Sequence, residues 1–160
     1  MNITMDMSFK EKSTWISLFS TVLIFGYYFI NLIGLTELPD AQAKTAAGDL
    51  LMRAVILSVV VEIIFQGMLA ATNHQAASLG DDERYKYYQY KANNIAYSIL
   101  VTGVLVTLGR ILFLEFNPAF DDHDSSLNIP LLTAHILMFS FILSEVVRFS
   151  CQLYYYRKGT

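Results

Sequence analysis

The chain has 160 residues, of which 54% are hydrophobic, and its formal net charge is −3. The apolar residues form long runs, which excludes an ordinary water-soluble domain, and the Lys and Arg residues form no continuous basic stripe for nucleic acid. The single cysteine, Cys151, excludes an internal disulfide and a C-x-x-C redox pair. We therefore predict an all-α integral membrane protein that does not bind nucleic acid.

The first apolar run covers residues 14–35 and contains no charged residue. At 1.5 Å per residue, about 20 residues cross a hydrocarbon core of about 30 Å. Lys10 and Lys12 precede the run and Trp15 lies at its start, as is typical of a membrane interface. Because a signal peptide has an apolar region of only about 7 to 15 residues, we expect this run to remain as a membrane anchor.

The second run, residues 50–71, is as apolar but contains Arg53, Glu62 and Gln66. A charged side chain at the centre of a span costs about 2.5 to 3.5 kcal/mol on insertion scales, so each charge needs a partner. Arg53 lies nine residues before Glu62, on the opposite helix face, whereas Gln66 lies one turn after it and can donate a hydrogen bond. Two interpretations of Glu62 remain open. It is either a neutral, hydrogen-bonded residue that joins two helices or a protonatable site facing a cavity.

The longest polar segment separates the second and third runs and includes the sequence DDER at 81–84, followed by Lys91. Acidic residues after Gly80 favour a helix start, so we predict a helix from Asp81 into the membrane.

The DDER sequence followed by Lys91 resembles a D-E-R…K element of several uncharacterised bacterial families of small membrane proteins. The resemblance implies a multi-span inner-membrane protein and assigns no catalytic residue. Tyr85 stands where another acid is common in that element. The predicted interaction surface comprises Asp82, Glu83, Arg84 and Lys91.

The third run, 95–116, contains Arg110, and the fourth, about 130–153, contains His135, Glu145 and Arg148. Glu145 and Arg148 are three residues apart, which predicts an intrahelical ion pair with either a structural or a functional role.

Two arginines, Arg53 and Arg110, and His135 are predicted to lie in the outer half of their helices. Either the arginines extend to lipid phosphates and to acids near the helix ends, or the three residues line a pocket for a headgroup, a quinone or an anionic substrate.

Lys and Arg residues are concentrated at both termini and in the middle segment, whereas the other two connections contain only Lys44. This distribution predicts that both termini and the middle segment are cytoplasmic. The short connections predict a single transmembrane domain, an up-down four-helix bundle, in a bacterial inner membrane. One offset of 83 residues aligns Gly26 with Gly109 and Glu62 with Glu145, which suggests two repeated hairpins with both glutamates at similar depth.

No phosphate-binding loop, H-E-x-x-H motif or nucleophile elbow occurs. Only His135 lies within a span, so haem ligation between helices is excluded, and the loop containing Asp121 to Asp124 is interpreted as a solvated turn. We therefore expect no cofactor, no metal site and no catalytic residue.

The leading hypothesis is a protein that acts through a protein partner or as a homodimer among membrane lipids. The alternative is a small proton- or cation-coupled transporter or channel that uses Glu62 and Glu145. A weaker alternative is an enzyme of lipid or quinone metabolism that uses Arg53, Arg110 and His135.

Overall fold

The computed structural model describes residues 8–35, 38–72, 83–117 and 129–158. These residues form four helices and, within those ranges, no strand. In chain order they are α1 (Phe9–Gly34), α2 (Asp40–Thr72), α3 (Glu83–Phe116) and α4 (Leu132–Lys158). The predicted all-α fold is confirmed.

Several helices extend beyond the apolar runs that predicted them. α1 begins before its run because Ser8 caps it, with the Ser8 hydroxyl accepting a hydrogen bond from the Glu11 backbone N–H at 3.1 Å. α3 begins at Glu83 and continues without a break into its apolar part, as predicted for this segment. An apolar run marks only the part of a helix that lipid surrounds, and polar residues continue the helix into water.

The helices lie in the order α2, α1, α4, α3. α1 packs against α2 and α4, and α4 packs also against α3. Arg157 near the end of α4 contacts Glu11 near the start of α1, with Nε and Oε1 3.3 Å apart. The ammonium of Lys10 lies 5.0 Å from the ring centre of Tyr85 at the start of α3. Both described chain ends therefore lie at one end of the bundle, which we call the basic end, and the predicted up-down arrangement is confirmed.

Three helices are long and apolar enough to cross a membrane: α1 from Lys10, α3 and α4. Many large apolar side chains face outward, among them Ile30 and Phe116. Such a surface is unfavourable in water and compatible with lipid. The membrane character of the protein is thus supported by three helices, and the crossing of the membrane by α2 stays a prediction.

The core lies where α1 meets α2 and α4. Its fully buried centre is Tyr28 of α1, and the other buried members are Phe25, Leu32, Ala47, Ala54 and Ile142. The small alanines of α2 allow the aromatic side chains of α1 to fit between the helices.

α3 and α4 approach closely at Gly103. A Cβ atom at this position would overlap the side chain of Ser140 on α4, so only glycine permits the contact. By contrast, a Cβ at Gly26 or Gly109 would meet no atom within 4 Å. The two glycines that the predicted repeat aligns therefore have no packing role among the described residues.

The helix arrangement gives the repeat no further support. A two-fold axis between the hairpins would exchange α1 with α3 and α2 with α4. The contact between α1 and α4 would then recur between α3 and α2. Among the described residues, however, α2 and α3 make at most slight contact. The duplication stays a prediction.

Candidate functional site

A hydrogen-bonded network joins α1 to α2 in the half of the bundle nearer the basic end. Ser17 donates from Oγ to Glu62 Oε1 at 2.6 Å. Gln66 Nε2 donates to Glu62 Oε1 at 3.1 Å and to Ser17 Oγ at 2.9 Å, while Ser13 Oγ donates to Gln66 Oε1 at 2.7 Å. These four residues form what we call the serine–glutamate network. The predicted hydrogen bond between Gln66 and Glu62 is confirmed.

Beside this network, α1, α2 and α4 line an open cavity of about 300 Å³. Glu62 lines it from α2, and Glu145 and Arg148 line it from α4. The two glutamates that the sequence offset aligns thus lie on one cavity, although they belong to different hairpins. The Glu62 carboxyl group contacts a neighbouring helix and also borders the cavity, so its position agrees with both interpretations, and the choice between them stays open.

Glu145 and Arg148 form an ion pair through Oε2 and Nη2, and the predicted intrahelical pair is confirmed. The Arg148 guanidinium also lies 4.5 Å from the ring centre of Phe149. The positive charge of Arg148 is therefore directed to Glu145 on its own helix.

Glu62 differs from Glu145 in having no ion-pair partner among the described residues. Both of its hydrogen bonds fall on Oε1, which leaves Oε2 available to a ligand. If all three side chains carry their ordinary charge, two carboxylates and one guanidinium give the cavity a net charge of −1. A net negative charge favours a cation over an anion in this cavity.

A second polar contact of α1 lies farther from the basic end and is closed to solvent. The Tyr28 hydroxyl forms a hydrogen bond with His135 Nδ1, and these residues are 0% and 4% exposed. Phe25 and Phe29 pack edge-on against the Tyr28 ring. This contact holds α1 against α4 and has no described connection to the serine–glutamate network.

The structure gives no support to a pocket shared by Arg53, Arg110 and His135, because the three residues have different surroundings. Arg53 is exposed on α2. Arg110 donates from Nε to Thr133 Oγ1 at 3.2 Å, joining α3 to α4. His135 lies two positions after Thr133 on α4, so it points away from α3 and contacts α1.

Of the predicted cytoplasmic interaction residues, Asp82 lies outside the described residues, as does the loop containing Asp121 to Asp124. Glu83 and Arg84 are exposed in the first turn of α3. The Lys91 ammonium lies 4.5 Å from the ring centre of Tyr87 and 5.6 Å from that of Tyr155. Lys91 is therefore held against aromatic rings at the basic end, whereas Glu83 and Arg84 face solvent.

Sequence reasoning missed the residues of α1 that complete both contacts: Ser13, Ser17 and Tyr28. Ser13 and Ser17 are four residues apart, so they lie on one helix face, and a search for polar pairs at this spacing would have found them. No comparable signal distinguishes Tyr28 from its neighbour Tyr27.

Comparison with protein-family models, with curated proteins and with solved structures found no match to this chain.

Proposed function

We propose that this chain is a non-enzymatic helical membrane protein that binds protons or a small cation at Glu62 and Glu145 and couples that binding to movement across the membrane. One observation carries the proposal: carboxylates from two different hairpins border the same cavity. Membrane-embedded acids that face a cavity are characteristic of ion pathways and proton relays.

The partners of Glu62 suit a residue that changes its charge. Serine hydroxyls and the glutamine amide can each act as donor and acceptor, so the serine–glutamate network can adjust to either form of the carboxyl group. Arg148 compensates Glu145 on its own helix, which leaves Glu62 as the carboxylate that a proton or cation would neutralise.

We place the protein in a bacterial inner membrane with both termini in the cytoplasm. The support is the concentration of Lys and Arg at the termini and in the middle segment, together with the common end at which the described termini lie. The cavity then opens in the cytoplasmic half of the bilayer.

The test is a flux assay in proteoliposomes loaded with a pH-sensitive dye. A pH gradient imposed across the membrane should collapse faster with the wild-type protein than in protein-free liposomes. Glu62→Gln should abolish the protein-dependent rate. The matched control is Glu115→Gln, which removes an exposed carboxylate at the far end of α3 and should leave the rate unchanged. Equal rates for wild type and Glu62→Gln would contradict the proposal.

A second candidate function is protein interaction or self-association through the start of α3. The exposure of Glu83 and Arg84 in the first turn of this helix favours it. Chemical cross-linking in native membranes should give an oligomer of this chain that is lost in the double charge reversal Glu83→Lys, Arg84→Glu. Lys44→Glu, at the opposite end of the bundle, is the control. Retention of the oligomer in the double variant would reject this surface.

A further inference from the structure

We infer that the ligand of this cavity is a lipophilic organic monocation, such as an aromatic quaternary ammonium, that enters sideways from the bilayer. The inference rests on the proposed function and specifies its substrate class. It is carried by three features of the cavity, namely its opening, its charge and its aromatic lining.

The cavity is a cleft between α2 and α4. Both helices pack on α1, but they make at most slight contact with each other among the described residues. α1 therefore forms the floor, with Thr21 and Phe25, and the other two helices form the walls. Side chains at the rim face outward, since Ile63 is 67% exposed and Phe141 is 46% exposed. In a bilayer such a rim faces acyl chains, so an apolar molecule can reach the cleft without passing through water.

The charge of the cleft favours a cation. Glu62 has no ion-pair partner among the described residues, and its Oε2 accepts none of the hydrogen bonds in the serine–glutamate network. An anion could bind only to Arg148, which is paired with Glu145 through Nη2 and lies 4.5 Å from the ring centre of Phe149, and whose Nε is buried without a described hydrogen-bond partner. Two carboxylates close to that position would also repel an anion.

The rest of the lining is largely apolar, apart from the hydroxyls of Thr21 and Ser58. Phe25 lies on the floor and Phe141 on the α4 wall, whereas the ring of Phe149 already lies against the Arg148 guanidinium. Faces of aromatic rings attract cations, and a quaternary ammonium is the ligand type that benefits most from such surroundings. Among the described residues no three Asp, Glu, His or Cys side chains lie together, whereas a divalent metal ion requires about six or more oxygen ligands. The volume of about 300 Å³ lies at the small end of ligand pockets and suits a molecule with one ring.

Equilibrium binding of radiolabelled benzyltrimethylammonium to the purified full chain in detergent tests the inference. This probe cannot lose a proton, so it separates cation binding from proton exchange. Wild type should bind it saturably, and Glu62→Gln should weaken the affinity roughly tenfold or more because the unneutralised carboxylate is lost. Glu115→Gln should bind like wild type.

Two phenylalanines of α4, two positions apart, provide a matched test of the aromatic wall. Phe141→Leu removes a ring from this cleft, whereas Phe139→Leu removes a ring of similar exposure that lines a different cavity, between α3 and α4. Only Phe141→Leu should weaken binding. Equal losses in both variants would overturn the assignment of the probe to this cleft.

A competition experiment on wild type needs no variant and so is independent of folding defects. Unlabelled phenyltrimethylammonium, a one-ring monocation, should displace the probe, and phenylmethanesulfonate, an anion of similar size, should not. Displacement by the anion, or no saturable binding of the probe, would overturn the inference.

If proton flux depends on Glu62 but the probe does not bind, the substrate class is wrong and the proposed function stands. If the probe binds but no flux depends on Glu62, the proposed function fails and the ligand assignment stands.

Discussion

α1 makes two polar contacts with its neighbours, and they differ in how they are enclosed. Tyr28 and His135 are sealed between α1 and α4, and their rings are almost fully inaccessible. Ser17 contacts Glu62, which lines a cavity that Glu145 and Arg148 also border. A sealed contact cannot exchange a proton or ligand without opening the bundle, whereas a contact beside a cavity can. The comparison supports a structural role for the first contact and agrees with the binding role that we propose for the second.

The two contacts also differ in redundancy. In the serine–glutamate network, Ser17 contacts both Glu62 and Gln66, so loss of one hydrogen bond leaves the others in place. At the sealed contact one described hydrogen bond, between the Tyr28 hydroxyl and His135 Nδ1, joins α1 to α4. Removal of one member should therefore cost more stability at the sealed contact than at the open one.

Truncation of the sealed contact should have the largest effect. Tyr28→Ala removes the largest fully buried side chain and leaves a cavity between α1, α2 and α4. We expect a loss of about 3 kcal/mol or more in the free energy of unfolding. Unfolding by SDS in mixed micelles measures this loss. Tyr27→Ala is the control, because Tyr27 is 65% exposed on the same helix, and an equal loss there would contradict the structural role.

Removal of the hydroxyl alone should have a smaller effect. Tyr28→Phe keeps the packing but leaves His135 Nδ1 buried without its partner, which should cost about 1 to 3 kcal/mol. The same SDS titration measures the change, and Tyr27→Phe should be neutral. A neutral result for Tyr28→Phe would mean that packing, not the hydrogen bond, holds α1 against α4.

Contacts within one helix could be predicted from the sequence. The pairs Glu62 with Gln66 and Glu145 with Arg148 have spacings of four and three residues, so the geometry of a single helix brings them together. The four helices themselves follow from four apolar runs. The early start of α1 required the cap at Ser8, which lies outside the apolar run.

Contacts between helices could not be predicted, because they depend on how each helix is rotated about its axis. In a soluble bundle an apolar stripe marks the buried face, but these helices are apolar on most sides. Tyr27 and Tyr28 illustrate the problem: the two residues have the same chemistry, yet only Tyr28 faces the core. The separation of Arg110 from His135 follows from the same rotation, which directs Arg110 towards Thr133 and His135 towards α1.

The smallest effect on stability is expected at the open contact, where it separates stability from function. Ser17→Ala removes one donor to Glu62, but Gln66 still donates to the same oxygen, so the free energy of unfolding should fall by less than about 1 kcal/mol. The proton flux should nevertheless fall, since the donor from α1 no longer positions the carboxylate. Ser20→Ala on the same helix should change neither quantity. A loss of stability in Ser17→Ala as large as that of Tyr28→Phe would remove the distinction between the two contacts, because the serine–glutamate network would then also be holding the bundle together.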